Sequence, residues 1–237
     1  MAFSSLAEID NYMKENICEF WEAVIREEAR DSQQPEMDIV NRMTQMYRAM
    51  KEADETYDDT LTSHSGLSGK NGKRMADYAA THKCMCGEFG GAVMARAIKM
   101  AESNACMKRI VAAPTAGSCG VVPAILITYE RMTNTSENDM VKALFVAAGI
   151  GDVIARRASI SGARGGCQAE IGASSAMAAG ALAWLKSGSS HLITQAAAMA
   201  LKSLLGLVCD PVAGLVEVPC VKRNASGAMN ALCAVDM

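Results

Sequence analysis

Aromatic side chains are scarce in this 237-residue chain, at 5% of the total, while Ala is abundant and Met reaches 17. That scarcity argues against a β-sandwich rich in Val, Tyr and Trp and favours closely packed helices with small side chains. Positive charge is not in excess either: 23 Lys and Arg stand against 26 Asp and Glu, a net charge of −3. Such a balance argues against the basic groove that a nucleic-acid backbone demands. Long hydrophobic runs are missing too. The longest uncharged stretches, Ile171–Leu185 and Ser187–Leu201, are interrupted by Lys186 and rich in Ala, Ser and Gly, so neither suits a membrane span. The N-terminus, MAFSSLAEIDNYMKENICEF, acquires charges early and has no apolar signal core, which predicts a cytoplasmic protein.

Strand-like alternation persists nowhere, and no internal repeat is visible, so the expected fold is all-α. Residues 1–58 read as two amphipathic helices, with Leu6, Ile9, Met13, Ile17, Phe20 and Ile25 on one stripe and Ile39, Met43, Met46, Tyr47 and Met50 on the next. A polar loop with glycines, TSHSGLSGKNGKRM, spans Thr62–Met75. A helix follows in CGEFGGAVMARAIKMAESNA. In APTAGSCGVVPAILITYERM, the small-residue turn Thr115–Gly120 leads into an apolar helix with Pro123 in its first turn, where proline is tolerated. The Thr62–Met75 loop and the Thr115–Gly120 turn have the hydroxyls and backbone N–H groups that suit an anion. Composition alone reads the first more readily as a plain surface loop and the second equally as an ordinary capped helix start. Farther on, a helix from Ser136 is expected to break at Gly149–Gly151. Helices over Gln168–Leu185 and Ser189–Leu207 form a hairpin, VAGLVEVPCVKRN is extended or looped, and a last helix covers Asn224–Asp236.

Nine cysteines remain to be explained: Cys18, Cys84, Cys86, Cys106, Cys119, Cys167, Cys209, Cys220 and Cys233. An odd count in a chain without a secretion signal argues against a disulfide framework. Free Cys is commonly a small core residue, and Cys84-Met85-Cys86 lacks zinc-knuckle spacing. Cys167 is different, because it follows Gly165-Gly166 and opens a helix. The helical hairpin would return Cys209 toward Cys167, and a short loop would carry Cys220 back to both. Nine cysteines allow many triples, so this placement alone leaves other sets open. A helix N-terminus beneath Cys167 would lower its thiol pKa and stabilise an anionic group such as a [4Fe–4S] cluster.

The blocks SISGARGGCQAEIGASSAMAAGALAWL, CDPVAGLVEVPCVKRNASGAMNA and APTAGSCGVVPAIL resemble the signature blocks of iron–sulfur-dependent L-serine dehydratases, in their α chain or catalytic domain. The SGLSG…KRM loop is similar to that family's SGLTGG…YKM segment. The resemblance implies a single α-helical catalytic domain over 1–237, with substrate and cluster bound by 59–237. It implies deamination of L-serine to pyruvate and ammonia, in serine catabolism and gluconeogenesis, without pyridoxal phosphate. Residue by residue it carries ligation of a [4Fe–4S] cluster onto Cys167, Cys209 and Cys220. The fourth, open iron would act as Lewis acid on the substrate hydroxyl.

Substrate carboxylate binding would fall to Ser65 and Gly66 in the first loop and to Thr115, Gly117 and Ser118 in the second. Lys222, Arg223 and Asn224 are candidates for neutralising charge at cluster and substrate, and His64 for the base. Departures from the family pattern are Lys70 and Asn71, where Gly and Asp are common, and Cys119, expected to be an extra thiol near the site. The chain is expected to be cut short at Met237, with Cys233 given no tail role. The family's SSSHT-type β region does not occur, so the expected partners are a separate β chain, further copies of this chain, or both. Competing readings are a related cluster-dependent lyase acting on L-cysteine or another β-substituted amino acid, a helical redox module with a closed four-ligand cluster, and a zinc-stabilised scaffold. A pyridoxal-phosphate dehydratase fits less well, because no tetraglycine-like phosphate loop occurs.

Overall fold

A computed structural model describes residues 3–237, and all regular structure among them is helical. The helices are α1 (Leu6–Asn16), α2 (Phe20–Ser32), α3 (Glu36–Glu55), α4 (Asn71–Ala79), α5 (Gly87–Ala105), α6 (Val121–Thr133), α7 (Glu137–Arg157), the short α8 (Gly162–Cys167), α9 (Ala173–Ser187), α10 (Ser190–Ser203) and α11 (Val218–Asp236). A π-helical turn, Gln168–Gly172, joins α8 to α9. Among the described residues no helix is long and apolar enough to cross a membrane.

Local chemistry sets the boundaries. Ser5 and Ser136 accept the backbone N–H groups of Glu8 and Asp139, which caps α1 and α7. Asn134 and Gly188 take the left-handed conformation that closes α6 and α9. The expected first helix is in fact two, because Ile17 turns left-handed (φ 49°) and is 94% exposed, well off the buried stripe. A reciprocal capping pair, Glu19 with Glu22, then starts α2.

Helix α9 lies at the centre and is buried on every side from Ala173 to Ala183. Helices α6, α7, α10 and α11 pack around it. Its small residues allow close approach: a Cβ on Gly180 would run into Ile150 of α7. The break expected at Gly149–Gly151 does not occur, and α7 runs through it. Those glycines are contact points instead, for a Cβ would lie 2.6 Å from Val24 at Gly149 and 2.9 Å from Met177 at Gly151. Helix α11 also begins earlier than expected. Pro219 stands in its first turn, where the missing N–H costs nothing, so Cys220 is helical.

Two buried carboxylates tie the elements together. Asp54 of α3 pairs with Arg96 of α5 at 3.2 Å and with Arg131 of α6 at 3.4 Å. Glu102 of α5 is 1% exposed and caps α4 from outside. It accepts the N–H of Asn71 and of Gly72, both at 2.8 Å, the Asn71 side-chain amide at 2.9 Å and the Tyr57 hydroxyl at 2.7 Å. Those bonds fix the start of α4 and hence the end of the polar loop before it. Lys70 stands at that junction with φ 66°, a conformation natural to glycine, and an Asp at position 71 could not donate to Glu102 as Asn71 does.

Replacing Glu102 by Ala strands these donors in the interior and is expected to cost on the order of 3 kcal/mol of unfolding free energy. Urea denaturation of native and Glu102→Ala protein measures it, and a loss below about 1 kcal/mol would contradict the capping role.

Candidate active site

The three cysteines singled out by position come from three segments that the chain draws together. Gly166, with φ 65° and ψ −161°, interrupts the helix and sends Cys167 into the π turn that leads to α9. Only glycine suits this position. A Cβ there would sit 2.9 Å from the Cys209 nitrogen, 3.1 Å from the Leu207 oxygen and 3.1 Å from the Val208 Cα. The N–H of Gln168 donates to the Leu207 carbonyl at 2.9 Å, and its side-chain amide donates to Leu201 at 3.2 Å. The backbone carrying Cys209 is therefore pinned against the backbone carrying Cys167.

Between Cys209 and Cys220 the chain reverses at Ala213-Gly214, both with positive φ, and Val212 and Leu215 exchange hydrogen bonds. Arg223 spans the loop, donating to the Val208 carbonyl at 2.6 Å and pairing with Asp210 at 2.8 Å. Cys167 is buried, Cys220 half-buried and Cys209 exposed. Burial, reinforced by the neighbouring Cys167, Glu170 and Cys209, pushes the Cys220 thiol up to about 12, while Arg223 pulls it back. Among the described residues no three His, Cys, Asp or Glu side chains close to single-ion distances.

The Thr115–Ser118 turn reaches this region through Asn224. That residue is fully buried; its Oδ1 accepts the Gly120 N–H at 2.8 Å, and its Nδ2 donates to the Gly117 and Cys220 carbonyls, both at 2.8 Å. Ser118 is also fully buried, with its hydroxyl on the Ala113 carbonyl at 3.3 Å and beside Thr115 Oγ1 at 3.2 Å. Thr115 and Gly117 are partly exposed.

The polar loop arrives through Glu217, just ahead of Cys220. Ser63 and Ser65 donate to Glu217 Oε2 at 2.6 and 2.7 Å. These bonds hold the Glu217 carboxyl below its ordinary range, helped by Ser68 and the nearby His64. Gly66 supplies the turn with φ 78°, while His64 and Lys222 are exposed.

Cys119 does not belong to this group. It is 1% exposed, its Sγ lies 3.7 Å from the Met100 carbonyl, and burial pushes its thiol up to about 12. Its turn borders the site, which is why the sequence suggests an extra thiol there, but the side chain points into the core. The sequence singles out neither Glu102 nor Glu217, and Ser63 only as one hydroxyl of the polar loop. For Glu217 a signal existed, a lone carboxylate in the otherwise apolar VAGLVEVP.

The hydrogen bonds on Glu217 give a pH test. A depressed folded-state value means that their contribution to stability is present above the ordinary carboxylate range and is lost as pH falls through the lowered value. The carboxyl carbon of Glu217, followed by NMR, is expected to titrate below its ordinary 4.5. A midpoint at or above that value would mean that the loop is not held there.

The serine dehydratase alpha chain family model matches residues 15–237. The chain is 40% identical over 235 residues to the probable L-serine dehydratase, alpha chain, of Bacillus subtilis (strain 168), covering 99% of this chain and 78% of that one. It is 38% identical over 233 residues to the L-serine dehydratase, alpha chain, of Peptoniphilus asaccharolyticus, covering 97% and 79% respectively. With the L-serine dehydratase of Helicobacter pylori (strain ATCC 700392 / 26695) it shares 41% identity over 172 residues, 70% of this chain and 34% of that one. A match across nearly the whole chain, taking in the cysteine segments and both polar turns, settles its kinship: the chain belongs to the serine dehydratase alpha chain family.

Proposed function

We propose that this chain is the catalytic α chain of an L-serine dehydratase that converts L-serine to pyruvate and ammonia, and that Cys167, Cys209 and Cys220 hold a [4Fe–4S] cluster in place of pyridoxal phosphate. The observation that carries this reading is the contact at Gly166, which presses the Cys167 and Cys209 backbones together with Cys220 in electrostatic reach. The donor set fits the group: it consists of three soft thiols, and a cluster spreads its ligand sulfurs wider than a single ion does. Gly166 supplies close backbone approach, and the Arg223 guanidinium offsets thiolate charge. When bound, a cluster with three protein thiolates supplies a Lewis acid at its remaining iron.

The rest of the reaction falls to this chain's own groups. Thr115 and Gly117 offer the substrate carboxylate a hydroxyl and a backbone N–H at the turn, while Ser118 and Asn224 hold that turn in register. Ser65 and Gly66 bind the same carboxylate from the polar loop, with the Ser65 hydroxyl exchanging Glu217 for substrate. His64, on the same loop, takes the Cα proton. The Cβ–O bond breaks as the β-hydroxyl takes up a proton and leaves as water, which gives 2-aminoacrylate. This tautomerises to the imine, and one water hydrolyses it to pyruvate and ammonia. Arg223 and Lys222 place positive charge beside the third cysteine.

A second chain completes the enzyme in this reading. The Bacillus and Peptoniphilus relatives are named alpha chains, and in the Helicobacter protein the matching stretch is a third of a longer chain. The assembly is cytoplasmic and includes a β chain, further copies of this chain, or both.

Anaerobic reconstitution with iron and sulfide, followed by iron counting and a pyruvate assay with the β chain present, tests the proposal. Iron and sulfide matching one [4Fe–4S] cluster per chain are expected, with turnover of L-serine that falls to background in Cys167→Ala while the helical circular dichroism persists. Zinc in place of iron, or unchanged turnover in Cys167→Ala, would overturn it.

A further inference from the structure

Glu170 is the one charged residue between Arg164 and Lys186, and it stands on the π turn three residues after Cys167. Such turns often mark functional positions. Its carboxylate is held in a slot walled by two glycines. A Cβ at Gly117 would lie 2.9 and 3.0 Å from its two oxygens, and one at Gly162 would lie 2.5 Å from Oε2. Glu170 is half-buried, yet its carboxylate accepts no hydrogen bond and forms no ion pair within the described chain. The Gly117 carbonyl that this slot adjoins is held by the same Asn224 amide that holds the Cys220 carbonyl, which ties Glu170 to the cysteine group.

The Glu170 oxygens are not among the sealed, unpartnered atoms of the interior, so the carboxylate is set in the slot yet still open to a ligand from solution. Arg223, which with Glu170 acts on Cys220, is already engaged by Asp210 and the Val208 carbonyl. What the slot lacks is a compact cation from outside. An α-amino acid carries its ammonium and its carboxylate on one carbon, so receptors for the two must be neighbours. Glu170 touches Gly117, which belongs to the turn that offers donors to a carboxylate.

We propose that Glu170 receives the α-ammonium group of the amino-acid substrate and thereby selects amino acids over the corresponding 2-hydroxy acids. This inference rests on the dehydratase reading. Gly117 and Gly162 are glycines because a side chain at either would run into the Glu170 carboxylate itself and displace it. Glu170 is a binding residue in this account, and proton removal from Cα lies elsewhere.

The test uses the reconstituted enzyme with its β chain, comparing the native protein with Glu170→Gln and Glu170→Asp. Iron content, KM and kcat for L-serine and the inhibition constant of L-glycerate are measured for each. In Glu170→Gln the KM for L-serine is expected to rise by about tenfold or more, as loss of a charge-assisted contact implies. Inhibition by L-glycerate, which has no ammonium, stays within about twofold or tightens as the negative charge is removed. Glu170→Asp, which keeps the charge on a shorter stem, falls between. Equal weakening of both ligands, a kcat collapse at unchanged KM, or iron loss in both variants would overturn the assignment. If the native protein itself holds iron and fails to turn over L-serine, the dehydratase reading fails first.

Discussion

One buried amide holds the candidate site in shape. Asn224 sits on α11 one turn after Cys220 and fastens three backbone groups: the Gly120 N–H, the Gly117 carbonyl and the Cys220 carbonyl. No other side-chain type supplies a donor pair and an acceptor in so small a volume. The turn that offers donors to a carboxylate and the helix that carries the third cysteine are thus set against each other by hydrogen bonds rather than by packing alone. Gly120 fits beneath this amide because a Cβ would collide with the Ala97 carbonyl, which brings α5 into the same arrangement.

Around that clamp the chain places its polar chemistry in short irregular segments and its bulk in helices of small residues. Ser174 and Ser175 of α9 are fully buried and bond outward, Ser174 to the Ala113 carbonyl at 2.6 Å and Ser175 to the Gly227 carbonyl at 2.8 Å. Asn230 adds bonds from α11 to Ser175 and to the Ala200 carbonyl of α10, both at 2.8 Å. The central helix therefore fixes the turn on one side and α11 on another. A groove of about 230 Å³ between α2, α3 and α7, lined by Val24, Ile39, Met43 and Phe145, holds none of the cysteines or loop residues. The candidate chemistry is concentrated instead where α5, α9 and α11 meet their connecting turns.

Much of this was legible in the sequence, and the misses have physical causes. Low aromatic content with abundant Ala and Met indicated helices, and Pro123 and Gly188 lay where helix starts and ends tolerate them. Gly165-Gly166 before Cys167 stands out in the sequence, but only the fold reveals that Gly166 meets the backbone of Cys209. The expected break at Gly149–Gly151 was misplaced because a glycine that allows helix contact reads the same as one that ends a helix. Pro219 reads as a helix breaker until it is seen in a first turn. Contacts distant in sequence had no local signal: nothing in KMAESNA shows that Glu102 caps α4, and nothing in SHSG shows that its hydroxyls find Glu217.

The central claim is that three cysteines hold a cluster with one iron left for substrate. Mössbauer spectroscopy of protein reconstituted with isotopically enriched iron, recorded with and without L-serine, tests it most directly. The account predicts that a single iron site of the cluster changes its signal when L-serine is added, while the others stay as they were. A spectrum in which every iron is indifferent to L-serine would show a closed cluster and contradict it.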